Sequence, residues 1–542
     1  MKRMNNSRYI ELTVLILSLL VLLIYFDRQV IGLTKTALRG PGRKLKMDVE
    51  KPMRGNIYSS DSVLIAGSKP DYTIYMNPML INDNIEHIRV ISGLFDISAD
   101  SIISLLDYSE TSSRSNVILK RSPGIELISV LEENRNIFKG ITVEREYYRE
   151  YVFPEMYCHI TGFVSSITKN EYSLLKAENY SPGDIRGRAG IEQQYEHMLR
   201  GRSGIRYYET DRSGKRVRNI DLPENSDARN GDDVYLTIDH GMQAFLFDLF
   251  EEYDSTIVIV MDRKSGAVKA MLVKPYYNPN LFSPIMGRPA VGRKNMHKFT
   301  VNRAVTGSTL PGSIIRPFIF NEFTASDEYE DINIRPCNGE LLLGDTVLQC
   351  YASHDDTSLY DMALSNCNIL FYQIGIAMGS DYIDKQLREL FPDRVTGIDL
   401  PAESEYALNY NDDKNLNAAL IGAGYGFIEM STVMMTVLVN YSCGDNTLAV
   451  PAVSRENLNS TDEKTDEDTA SYPFWTADNI RQDIEFTSGV YSPSGERRGD
   501  NSIICGFVDS GKNDYIVTIM LKSEDDVFTN ISIIAGYIRD EL

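Results

Sequence analysis

Residues 255–273 read STIVIVMDRKSGAVKAMLV. Ser255 to Met261 is an apolar run rich in β-branched residues, Arg263-Lys264-Ser265-Gly266 has turn composition, and Ala267 to Val273 returns as a second apolar run. Such runs on either side of a glycine-containing turn predict an antiparallel hairpin. Further along, Ser502 to Phe507 and Tyr515 to Leu521 read as two more strands. Val527, Phe528, Ile531, Ile534, Ala535 and Ile538 then recur at helical spacing. Between these ends the chain is helix-rich. Strands at both ends of a segment with helices between them predict one antiparallel sheet packed by helices, an α+β arrangement starting near Asp232.

Working back from the hairpin, Glu50 to about Asn225 mixes short strand and helix signals. Tyr72 to Met76 reads as strand, while Ile88, Ile91, Leu94 and Phe95 lie at helical spacing. Ser181-Pro182-Gly183-Asp184 and Arg200-Gly201-Arg202-Ser203-Gly204 are turn clusters. Tyr9 to Phe26 is apolar apart from Glu11, long enough to cover a hydrocarbon core of about 30 Å at about 1.5 Å per residue. Asp27-Arg28-Gln29 is a poor cleavage site, so an uncleaved anchor is expected in preference to a signal peptide. Lys2, Arg3 and Arg8 put the N-terminus in the cytoplasm. The expected organisation is a cytoplasmic 1–8, an anchor 9–27, a basic stalk 28–49, an α+β domain 50–228 and a second domain 232–542.

The chain has 542 residues, 43% hydrophobic and 24% charged, which excludes wholesale disorder. Its net charge of −21 repels phosphate backbones and argues against a nucleic-acid binder. Six cysteines are too few for a disulfide scaffold and show no zinc-type spacing. Cys337 and Cys350 flank a hairpin candidate, Glu340 to Val347; a disulfide and two unpaired buried thiols both remain open. Cys367 reads first as a packed core cysteine. The six histidines are scattered, and His354 beside Asp355 and Asp356 is not expected to hold a metal. No cofactor and no metal is expected. Glu456 to Asp468 reads as a polar loop.

Several stretches, in order, resemble class B penicillin-binding proteins, the anchored transpeptidases of bacterial cell-wall synthesis. Arg54-Gly55-Asn56-Ile57-Tyr58 with Leu64-Ile65-Ala66 is similar to the signature opening their pedestal domain. Tyr180 to Leu199, with Arg200 and Gly201, resembles the pedestal motif G-x-x-G-[IL]-E-x-x-Y-x-x-x-L-x-G. Leu236-Thr237-Ile238-Asp239 with Gln243, then Asn302-Arg303-Ala304, Pro311-Gly312-Ser313 and Ile421-Gly422-Ala423-Gly424, resemble successive parts of the transpeptidase domain. The resemblance implies an N-terminal transmembrane helix, an α+β pedestal, and a serine-beta-lactamase-like domain whose antiparallel sheet carries helices on both faces.

It also implies acyl transfer through a serine ester, and here the sequence departs from the pattern. The S-x-x-K motif reads Ser313-Ile314-Ile315-Arg316. The serine needs a neighbouring base, and a guanidinium has no acceptor and stays protonated. The S-x-N motif reads Asn366-Cys367-Asn368, and an amide has no hydroxyl proton to relay. The K-[TS]-G motif should fall within Cys505 to Lys512: aligned on its small residues it reads Asp509-Ser510-Gly511, where an aspartate would repel a substrate carboxylate, and aligned on the preceding glycine it reads Phe507-Val508-Asp509, and neither keeps the lysine. Lys512 lies about 10 Å along the strand on the opposite face. The plain alternative for Ser313 is a helix N-cap.

The expected function is therefore a penicillin-binding-protein homologue in peptidoglycan synthesis, catalytically impaired, acting as a scaffold or regulator of a membrane glycosyltransferase and other wall-synthesis proteins, and so in cell shape. The bulk of the chain is expected outside the cytoplasm. Two alternatives stay open. One is an active D,D-transpeptidase acylated at Ser313 in a rearranged site. The other is a module that binds peptidoglycan stem peptide or beta-lactam without turnover.

Overall fold

The computed structural model describes residues 44–77, 85–103, 117–178, 180, 184–211, 216–282, 299–329, 332–354, 358–442, 448–458, 486–491, 497–509, 513–521 and 524–542. The expected anchor at 9–27, the stalk up to residue 43 and most of the polar loop before Asp468 lie outside them. Among the described residues no helix is long and apolar enough to cross a membrane.

The chain divides into two units. The smaller takes in residues up to Met53 and Gly201–Asn230. Its described part is a three-stranded antiparallel sheet in the order Lys44–Glu50, Gly204–Thr210, Arg216–Ile220.

The larger unit comprises Arg54–Arg200 and Gly231–Leu542. Its first part is built on the long strand Leu64–Met76, which pairs antiparallel with Ile141–Tyr151 and, near its end, with Val117–Arg121. Ile88, Ile91 and Phe95 of helix Ile85–Phe95 bury against Ile74 and Met76 of that strand, so both periodicities read from the sequence are realised. The two pedestal-type motifs meet here. Arg54 Nε lies 2.6 Å from Glu192 Oε2 and its Nη2 lies 2.7 Å from Glu196 Oε2; Arg149 pairs with the other Glu192 oxygen. Burial opposes ionisation of Glu192, yet the Arg149 and Arg54 guanidiniums hold its carboxyl below the usual carboxylate range. Gly55 is required because a Cβ there would sit 1.9 Å from the Asp232 carbonyl oxygen. The short strand Val234–Tyr235 runs parallel to Ile57–Tyr58 and joins this sheet.

The second part carries the sheet expected from the 255–273 hairpin. Its strands are β1 (Thr256–Asp262), β2 (Val268–Val273), β3 (Phe486–Tyr491), β4 (Arg497–Asp509) and β5 (Asp514–Leu521), in the order β2-β1-β5-β4-β3, all antiparallel. Every residue of β1 is buried because both faces are covered. Val258 and Val260 face Met242, Leu246 and Ile534, from helices His240–Leu249 and Glu524–Glu541. Ile257, Ile259 and Met261 belong to the opposite core with Val433. That second face is packed by α1 (Arg316–Ala325), α2 (Asn368–Met378), α3 (Lys414–Gly422) and α4 (Thr432–Ser442). The result is an α+β fold with helices on both sheet faces.

The two parts of this unit are joined by directional bonds. Tyr195 Oη donates to Asp399 Oδ2 at 2.9 Å, while the Asp399 carboxylate also accepts the backbone N–H groups of Val453 and Ser454. Gln243 Nε2 donates to the Met156 carbonyl at 3.0 Å. Asn302 Nδ2 donates to the His159 carbonyl at 3.1 Å.

Candidate active site

Pro311-Gly312 leads into a 3₁₀ turn, Gly312–Ile315, that continues directly as α1. Gly312 has φ +58, a conformation glycine takes without steric cost. Its amide donates to the Gly424 carbonyl at 3.1 Å. Gly424 has φ +80, and a Cβ there would lie 1.8 Å from the Gly312 oxygen. This contact explains the glycines of Pro311-Gly312-Ser313 and Ile421-Gly422-Ala423-Gly424. Ser313 lies inside the turn, 2% exposed, and the residue at the α1 N-cap position is Ile315. Ser313 therefore does not take the N-cap role.

Arg316 stands one turn on from Ser313 and is 1% exposed. Its Nε donates to the Ala423 carbonyl at 3.2 Å. Its Nη1 donates to the Asn366 carbonyl at 2.6 Å and to Asn366 Oδ1 at 2.7 Å, and its Nη2 donates to Asn368 Oδ1 at 2.6 Å. The Phe371 and Tyr425 rings lie 5.0 and 5.2 Å from the guanidinium carbon, within cation–π reach. Among the described residues Arg316 has no carboxylate partner. The first two altered motifs are thus brought together by the altered residues themselves. Asn366 has φ +54, in the left-handed region that asparagine tolerates better than most residues, and ends helix Leu359–Leu364 before Asn368 opens α2.

The third motif is placed differently. Asp509 is the last residue of β4, paired through its backbone with Asp514; Ser510, Gly511 and Lys512 lie outside the described residues. The strand packed against the Ser313 turn is the sheet edge, β3. It reads FTSGVY and pairs with β4 only as far as Cys505, four residues, or about 13 Å, short of Asp509. Within β3 the run Thr487-Ser488-Gly489 matches K-[TS]-G at its last two positions, with threonine in the place of lysine. The small pair Ser488-Gly489 was the available signal.

Beside Asn366 and Asn368 the structure assembles a cluster that spacing did not reveal. Cys337, Cys350, His354 and Cys367 have their ligand-type atoms all within 4.8 Å of one another. Cys337 and Cys350 bracket the hairpin Glu340–Leu343 and Thr346–Gln349 and are free thiols, as is Cys367. Cys350 Sγ lies 3.9 Å from Cys367 Sγ, and the hydrogen bond between them holds Cys350 well below the ordinary thiol range and Cys367 above it. This is the group of described residues able to hold a metal.

The arrangement around Ser313 can orient and donate hydrogen bonds; the side chains meeting Arg316 are amides, carbonyls and aromatic rings. Residues 49–236 match the penicillin-binding protein dimerisation domain, and residues 256–453 the penicillin-binding protein transpeptidase domain. The chain is 24% identical over 416 residues to the peptidoglycan D,D-transpeptidase MrdA of Acinetobacter baumannii, covering 74% of this chain and 61% of that one. It is 26% identical over 427 residues to penicillin-binding protein 3 of Bacillus subtilis, covering 77% of this chain and 62% of that one. These matches span about three-fifths of each relative's length. The Helicobacter pylori structure described as a complex between penicillin-binding protein PBP2 and MreC shares the fold, with TM-score 0.71, 17% identity and coverage of 88% of this chain and 95% of that one. With two domain matches that together take in more than two-thirds of its length, in the order the motifs follow, the chain belongs to the class B penicillin-binding proteins.

Proposed function

We propose that this chain serves peptidoglycan synthesis as a binding member of its family, with acyl transfer silenced at the transpeptidase site. Arg316 carries this reading. It stands at the motif position of the base that would take the Ser313 proton, and a guanidinium has donors only. Its donors are already engaged by Ala423, Asn366 and Asn368. Asn366 brings no hydroxyl to relay a proton, and Thr487-Ser488-Gly489 has threonine at the sequence position of the K-[TS]-G lysine. Members of such a catalytic unit fail together when one is lost.

The role is then carried by surfaces. An anchor at 9–27 holds the chain at the cell membrane with its bulk outside the cytoplasm. The pedestal engages a membrane glycosyltransferase and, as the MreC complex of the Helicobacter pylori protein suggests, a wall-elongation partner of that kind. Ser313 retained on its glycine-braced turn favours one second reading, a pocket that binds a stem peptide without turnover.

The test is labelling of the full chain with a fluorescent penicillin beside an intact relative. No label is expected. Label that disappears in Ser313→Ala would overturn the proposal and identify an active transpeptidase. Calorimetric binding of a stem pentapeptide without hydrolysis would select the second reading.

A further inference from the structure

A cavity of about 380 Å³ opens at the far end of α1 from the Ser313 turn, within the size range of ligand pockets. The ten residues of α1, about 15 Å, separate the two. Phe323, Tyr329 and Met362 line the cavity and belong to the core shared by α1 to α4, with Ile334 and Leu359 packed against them. The wall is braced by rings. Phe323 and Tyr329 stack at 5.2 Å, and Tyr382 meets Tyr329 edge-on at 5.8 Å. The loop after α1 is tied down along its length. The Tyr329 and Ile332 amides donate to the Ser326 and Tyr329 carbonyls at 3.2 and 3.0 Å, and the Arg335 amide donates to Gln373 Oε1 on α2 at 2.9 Å. The cavity is therefore formed in advance, and an occupant need not bear the cost of ordering that loop.

Its entrance is apolar. Ile332 and Tyr360 line the cavity and are themselves exposed. Leu364, one helical turn on from Tyr360, is exposed too. The exposed ring of Tyr351 reaches the same helix end, its hydroxyl donating to the Ser365 carbonyl. A strip of large apolar side chains thus leads away from the cavity. Contiguous exposed apolar surface marks an interaction site, and its extension beyond the cavity fits a polypeptide better than a small molecule.

Charge says what that polypeptide carries. Segments 321–329, 332–334 and 358–364 contain Glu322, Asp327, Glu328 and Asp361 and neither lysine nor arginine. None of these four carboxylates has an ion-pair partner among the described residues. Burial, then Tyr382, Glu328 and Glu322, push the Tyr329 hydroxyl up to about 12, so the acidic groups bear directly on the cavity wall. Burial and the Glu389 charge push the Glu322 carboxyl up to about 7, a strain that an arriving cation relieves.

We infer that this cavity docks a basic segment of another protein, seating one large apolar side chain against Phe323, Tyr329, Ile332 and Tyr360 and setting lysines or arginines against Glu322, Asp327, Glu328 and Asp361. A desolvated anchor inside a charged rim is the usual anatomy of a protein interface. The site lies on neither the pedestal nor the Ser313 turn, so the inference holds whether or not Ser313 is acylated.

The experiment titrates the full chain, in neutral detergent, into the fluorescein-labelled peptide Lys-Arg-Ser-Trp-Leu-Arg-Lys and follows anisotropy. Saturable binding of one peptide per chain is expected. Ile332→Arg, at the entrance, should weaken it at least about tenfold, as should Asp327→Lys combined with Glu328→Lys. Leu174→Arg, at an exposed position on helix Lys169–Leu175, should leave it unchanged. Should Ile332→Arg fold poorly, Tyr360→Ser reads the same wall and should weaken binding likewise. Absence of saturable binding, or binding indifferent to both entrance variants, overturns the site. Equal binding of a peptide with serine for Trp and Leu would reveal only attraction to a chain of net charge −21, and overturns it as well. Full displacement by equimolar spermidine would make the occupant a small organic cation and overturn the assignment to a protein partner.

Discussion

Arg316 Nη2 lies 2.6 Å from Asn368 Oδ1, and the same oxygen accepts from Tyr425 Oη at 3.2 Å. One amide oxygen thus ties the position following the nucleophile turn to the last residue of the altered S-x-N motif. Lysine in place of Arg316 has no planar fork and cannot serve Ala423, Asn366 and Asn368 together. Arg316→Lys should lower stability by about 1–3 kcal/mol, the cost of leaving a buried acceptor unserved. Urea unfolding measures it, and penicillin labelling should remain absent. A labelled lysine variant would mean that the other two altered motifs are no obstacle.

Glu192 is the anion between two buried guanidiniums. Glu192→Gln takes the carboxylate from Arg149 and leaves Arg54 with Glu196 alone, and should cost about 3–5 kcal/mol, seen as a large fall in melting temperature or in folded yield. Its depressed carboxyl pKa gives a stabilisation present above the unfolded value and lost as pH falls through the folded value. Acid unfolding should therefore set in as Glu192 protonates.

His159 is buried, and burial pulls its imidazole down to about 4. Its Nε2 faces the Pro275 carbonyl at 3.0 Å, while Nδ1 is buried without a partner, so a second proton has nowhere favourable to sit. The unfolded chain takes that proton near pH 6.5. Stability from this group is therefore full above about 6.5 and lost as pH falls towards 4. Urea midpoints across that range should slope downwards, and His159→Gln should flatten the slope.

Tyr195→Phe removes the hydroxyl donated to Asp399 and should cost about 1 kcal/mol. Hydrogen exchange should quicken at Ile191–Leu199 and at Val453 and Ser454, with the central sheet unchanged. Exchange unaltered at both places would show that this bond does not fasten the two halves.

The hairpin at 255–273 was legible because β-branched alternation is a local signal, and β1 and β2 fall within a residue or two of the expected runs. The motif residues Arg54 and Glu192 were visible as a resemblance, but their ion pair spans 138 positions and no local pattern announces it. The cysteine cluster was hidden for a related reason. Twelve residues separate Cys337 from Cys350 and again His354 from Cys367, and the intervening hairpin brings them together. Only the spacing of Cys350 and His354, four apart, was a short-range hint. The edge strand went unread because FTSGVY is short and half polar, while the apolar Ser502–Phe507 drew the motif to its neighbour. Strand identity there comes from cross-strand pairing, which a linear reading does not contain.

Val234–Tyr235 runs alongside Ile57–Tyr58, so the segment leading into the catalytic-type half completes a sheet begun near the start of the other. The halves are consequently not interchangeable parts on a string. A recombination event that swapped either one would have to bring along a matching edge, which ties the inheritance of one half to that of the other.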